Sequence, residues 1–131
     1  LEASEGLRSE LELFGNDYPT DDGTCVRDYI HVADLASAHV LAVESLLGGG
    51  TSGSYNLGTG YGFSNKEVID EVRRVTGRDL PVKISDRRAG DPPILVANSN
   101  LFQETFGWQA QHSDLSEIVG TAWNWIKTYR F

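Results

Sequence analysis

Three arginines and an aspartate carry the strongest chemical signal in this chain. Arg27 stands between a Gly/Asp turn and a short apolar run, within Phe14 to Leu35 (FGNDYPTDDGTCVRDYIHVADL). Arg87, Arg88 and Asp91 share a Gly/Pro-stiffened loop, Asp86 to Pro92 (DRRAGDP). A guanidinium is a rigid fork of donors that suits phosphate oxygens, and two of them suit a diphosphate. A carboxylate beside them can accept hydrogen bonds from the vicinal hydroxyls of a ribose. The same residues can equally form a surface loop in which arginine neutralises nearby aspartates, an exposed pairing that is worth little.

Other reactive side chains point less clearly to chemistry. His31, His39 and His112 show no metal-ligand spacing with acids or with Cys25, so no metal site is expected. His31 on an apolar run and His39 on an apolar helix read as core histidines with satisfied hydrogen bonds. Cys25 has no partner histidine and reads as structural. Tyr29 is a candidate base by residue type alone, with nothing in its immediate sequence that marks it as catalytic. Gly58, Gly60 and Gly62 imitate the start of a dinucleotide-binding turn. Phe63 occupies the place of the third glycine, so the segment reads as a tight turn beside a cleft. No catalytic, cofactor-binding or metal residue is therefore assigned within the chain.

The elements that must position these groups fit one domain: 131 residues, 40% hydrophobic, suffice for a real core. A net charge of −8 argues against nucleic acid or an anionic membrane surface as partner. No run of eighteen apolar residues occurs, and no signal peptide opens the chain. A single cysteine fits a reducing cytoplasm. The absence of methionine and the start at Leu1 suggest a piece of a longer protein.

Residues 1–10 read as a frayed lead-in, and Leu11 to Phe14 as a short strand. Val26 to Val32 reads as a second strand, with Asp34 capping a helix over Leu35 to Leu47 that stops at Gly48 to Gly50. That helix is apolar nearly all round, which calls for cover on most sides. Ser54 to Leu57 is read as a strand. Ser64 and Glu67 form a capping box before a helix with Val68, Ile69, Val72 and Val75 on one face, closed by Gly77. Val82 to Ser85 reads as a strand and Ser99 to Phe106 as a short helix stopped by Gly107. The last helix keeps Leu115, Ile118, Val119, Ala122, Trp123 and Ile126 on one face, with Trp125 off it.

Three segments, FGNDYPT, VRDYIHV and RRAGDP, together resemble the UDP-glucose 4-epimerase branch of the extended short-chain dehydrogenase/reductase family. The resemblance runs from about Leu11 through Trp125 and includes Asn56 to Gly60, Val75 to Arg78 and Phe106 to Gln109. It implies an α/β fold of short strands and about four helices: the C-terminal, substrate-binding part of such an enzyme, without its N-terminal Rossmann domain. Residues 32–60 would then pack on and complete that missing sheet. By position, Arg27 and Arg88 would hold the UDP diphosphate and Asp91 the ribose. Glu12, Leu13 and Phe14 would meet the uracil, and Leu95 would help set sugar size. The resemblance also implies NAD bound by the absent domain, a tyrosine base and lysine located there, and a homodimer. The activity would be NAD-dependent interconversion of UDP-glucose and UDP-galactose, with the present chain inactive alone and prone to self-association. Related epimerases, decarboxylases and dehydratases of nucleotide sugars, or a non-catalytic nucleotide-sugar-binding module, remain as alternatives.

Overall fold

The computed structural model describes residues 1–128. In chain order its elements are β1 (Leu11–Phe14), β2 (Val26–Arg27), α1 (Val32–Leu47), β3 (Phe63–Ser64), α2 (Asn65–Thr76), β4 (Val82–Ser85), β5 (Ile94–Leu95), α3 (Asn100–Phe106) and α4 (Leu115–Thr128). This is the expected α/β arrangement of short strands with four helices. Strands β1 and β4 pair in parallel, Leu11 opposite Val82 and Phe14 opposite Ser85. Strand β2 lies between β3, antiparallel to it, and β5, parallel to it.

Local chemistry explains the clearest elements. Ser64 Oγ accepts the Glu67 N–H at 3.0 Å while the Glu67 carboxylate accepts the Ser64 N–H at 2.6 Å. This capping box satisfies donors that the first turn of α2 would otherwise leave open. Gly77 ends the helix in the left-handed region, at φ 64°, which a Cβ would disfavour. The apolar faces of α2 and α4 meet, and Ile69, Val72 and Val119 join Leu13 and Leu80 in one buried core. A second core gathers Ala38, Phe102 and Trp108, with Tyr55, Leu57 and Phe106 packed on it.

Several expectations need correction. Strand β2 stops at Arg27 because neighbouring backbone N–H groups turn to the Asp28 side chain instead of extending the ladder. Helix α1 begins at Val32, and its cap is His31, whose Nδ1 accepts the Ala33 N–H at 3.0 Å. Asp34 is buried and accepts the N–H groups of Gln111 and His112, at 2.9 and 3.0 Å. His31 is indeed buried, whereas His39 is exposed, its Nδ1 bonded to the Leu35 carbonyl. Ser54 to Leu57 forms no strand, since no described segment pairs with it. Residues 1–10 are a series of turns whose Leu1 and Ala3 pack on the first core, held by Glu5 to Arg78 at 2.8 Å. Strands β3 and β5 escaped the sequence reading because two residues are too few to show alternation.

Candidate functional site

A groove of about 530 Å³ runs beside β1, between it and the helices α2 and α4. Its wall includes Glu12, Leu13 and Phe14 from β1, Arg27 from β2, and Arg88 and Asp91 from the loop after β4. Six of the residues singled out from the sequence therefore share one concavity. Leu95 does not line it; it sits on β5 opposite Arg27 and is 59% exposed.

The structure holds Arg27 in place from several sides. Its Nη1 donates to the carbonyls of Val26 and Pro92, at 2.8 and 2.9 Å, and its Nη2 lies 3.7 Å from an Asp91 carboxylate oxygen. The loop that carries Asp91 thus closes onto β2 through the arginine itself. Gly90 takes φ 85° in this loop, and the Asp91 N–H returns to the Arg88 carbonyl at 3.3 Å.

The neighbouring arginines part company. Arg87 turns outward, donates to the Asp17 carboxylate at 2.6 Å and lies 4.3 Å from the centre of the Tyr18 ring. Asp17 is held below the usual carboxylate range by that hydrogen bond from Arg87, with the guanidinium charge adding to it. Arg87 thus behaves as the surface-pairing reading foresees. Arg88 instead lies over Phe14, 3.8 Å from the ring centre, and among the described residues no carboxylate is within ion-pair distance of it. One guanidinium is accordingly available at the groove, beside a second that is already oriented.

Tyr29 also faces the groove, and its hydroxyl donates to the Asn65 side-chain oxygen at 3.2 Å. Burial pushes its phenol above the ordinary value, with Arg27 pulling the other way. A phenol raised in this way is a poor general base near neutrality, and among the described residues no lysine acts on it to reverse the effect.

The glycine segment 58–62 is a turn packed on Asp28. The N–H groups of Thr59 and Gly60 both donate to that carboxylate, at 2.9 and 3.0 Å. Backbone donors that a dinucleotide turn would aim at a pyrophosphate are therefore already committed, and these residues do not fit NAD. Gly58 is required by close approach, because a Cβ there would stand 2.5 Å from Asp28 Oδ2 and from Ala97 Cβ. Asp28 lies inside the VRDYIHV segment, yet its role depends on segments distant in sequence and was not visible there.

The family model of the NAD dependent epimerase/dehydratase family matches residues 2–58. The chain is 50% identical to a UDP-glucose 4-epimerase of Halalkalibacterium halodurans over 129 residues, covering 98% of the chain and 39% of that relative. It is similar to the structure of UDP-glucose-4-epimerase from Stenotrophomonas maltophila with bound NAD and formylated UDP-arabinopyranose, at TM-score 0.89 and 44% identity, over 97% of this chain and 38% of that one. The Bifidobacterium longum UDP-glucose 4-epimerase in complex with NAD+ and UDP aligns at TM-score 0.85 and 34% identity, over 97% and 37% respectively. The chain spans 39% of the length of the first curated relatives it matches, and it corresponds to their C-terminal part.

Proposed function

We propose that the chain is a member of the NAD-dependent epimerase/dehydratase family, among the UDP-glucose 4-epimerases, and forms the nucleotide-sugar grip of such an enzyme. The observation that carries this reading is the meeting of Arg27, Arg88 and Asp91 with Phe14 on one groove. Arg27 and Arg88 take the two phosphates of UDP, and Asp91 accepts from the ribose hydroxyls. The edge of β1 at Glu12 and Leu13 meets the uracil with its backbone, and the Phe14 ring packs on the base. Arg88 leaves its place over Phe14 as the ligand enters, exchanging a cation–π contact for a charge-assisted one.

Binding energy collected at the nucleotide, away from the reacting carbon, holds the sugar in register for reaction at C4. In the whole enzyme NAD supplies the oxidation and return of hydride. It is held outside this chain, whose glycine turn is occupied by Asp28. Buried, unpaired Cys25 suits the reducing cytoplasm in which we place the enzyme.

The test is direct. The full-length protein is expected to interconvert UDP-galactose and UDP-glucose in the presence of NAD, followed by the sugar anomeric signals in NMR. The 131-residue chain alone, verified by mass, is expected to give no turnover. A full-length protein that leaves both sugars unchanged but converts another nucleotide sugar would remove the substrate assignment. Turnover by the chain alone would remove the division of labour.

A further inference from the structure

Asp28 follows Arg27 directly, yet its carboxylate makes no ion pair among the described residues. It is satisfied instead by neutral donors from two distant segments. Oδ1 accepts from the Thr59 N–H at 2.9 Å and the Thr59 hydroxyl at 2.8 Å. Oδ2 accepts from the Gly60 N–H at 3.0 Å and the Ala97 N–H at 3.2 Å. The carboxylate therefore ties the 58–62 turn, on one side of β2, to the chain leaving β5 on the other. The backbone N–H of Asp28 completes the tie by donating to the Leu95 carbonyl at 3.2 Å.

Such a tie is needed because the sheet is so short. Strand β2 offers two residues to each neighbour, too few for ladder bonds alone to fix their spacing. On that spacing depends the distance from Arg27 to Pro92 and Asp91, which lie just ahead of β5 and hold the guanidinium. Gly58 fits the same scheme, since any side chain there would displace the carboxylate.

We propose that Asp28 is a positioning residue for diphosphate recognition, fixing Arg27 against the loop that carries Arg88 and Asp91. The inference rests on the reading of this groove as a UDP site. It makes Asp28 matter for the phosphates and not for the base, a selectivity that a residue important only for folding would not have.

The experiment measures affinity for UDP by calorimetry and for uridine by ligand-observed NMR, using the full-length protein. In Asp28→Asn the amide has one acceptor oxygen, so one pair of donors faces an NH₂ group whichever way it is turned. UDP affinity is expected to fall about tenfold, the scale of one weakened charge-assisted contact, with uridine affinity changed less than about twofold. Thr59→Val removes a single donor and should give the same selective loss at about threefold. It decides the matter if Asp28→Asn does not fold. An unchanged ratio of UDP to uridine affinity in the folded variants overturns the proposal, as does an equal loss for both ligands. Arg27→Ala separates the two levels. If it loses UDP affinity while the Asp28 and Thr59 variants do not, only the positioning role fails. If Arg27→Ala itself binds UDP normally, the UDP reading of the groove fails.

Discussion

Arg27 and Arg88 enter the same groove in different states of readiness. The first is bonded to two carbonyls and lies near Asp91, so little side-chain freedom remains to be lost on binding. The second rests on Phe14 through a cation–π contact, which holds it near the groove without committing its donors. Leu95 belongs to this scale as well, because it sits opposite Arg27 on β5 with its side chain largely exposed. We propose that Leu95 helps set sugar size, a bulky aromatic there leaving less room for an N-acetyl group than leucine does. Leu95→Tyr in the full-length protein is therefore expected to lower kcat/KM for UDP-N-acetylgalactosamine relative to UDP-galactose. Equal selectivity in both proteins would remove Leu95 from the account. The Arg/Asp loop was legible in the sequence as a phosphate-binding candidate. Which of its arginines turns inward came only from the family resemblance, because the loop's own residues do not show that Asp17, 70 residues earlier in the chain, captures Arg87.

The elements were legible where their signals are local. Ser64 and Glu67 cap α2 reciprocally within four residues, so the pattern alone locates the helix start. The start of α1 was misplaced because Asp34 has the chemistry of a cap but is drawn into a buried contact with Gln111 and His112, while a histidine ring caps the helix. That junction also carries a pH dependence. His112 Nδ1 stands 2.6 Å from the Glu117 carboxylate on α4, and this hydrogen bond raises the imidazole above its ordinary value, against a smaller effect of burial. A raised pKa means that the stabilisation is fully present below about pH 6.5, the unfolded value, and is lost as pH rises through the folded one. The His31 ring lies beside that of His112, 5.0 Å between centroids, and the Asp34 charge favours the imidazolium further. The melting temperature of the wild type should exceed that of His112→Gln in acid, with the gap closing as pH rises through the folded-state value and shrinking in high salt. A gap independent of pH would rule out the ion pair as its source.

At the scale of the whole molecule, α1 leaves much of its apolar surface uncovered by its own chain. It buries Asp34 and Ala38, while Val40, Val43 and Leu46 are about half exposed and Leu47 is 84% exposed. Each large apolar side chain left in water forfeits about 1.5–3 kcal/mol of burial. We expect the remainder of the enzyme to cover this face and to supply a strand partner for residues 54–57. Taken alone, the chain should then associate with itself through α1 or bind an apolar dye, and Val43→Lys with Leu47→Lys should weaken both. Sedimentation as a monomer with no dye binding would contradict this. UDP calorimetry on the full-length protein tests most directly whether the groove is a diphosphate site. Arg27→Ala and Arg88→Ala should each cost about 1.5–3 kcal/mol of UDP affinity, as befits one charge-assisted contact apiece, whereas Arg87→Ala, whose side chain is turned out to Asp17, should bind UDP as the wild type does. Unchanged UDP binding in the Arg27 or Arg88 variant would contradict the account.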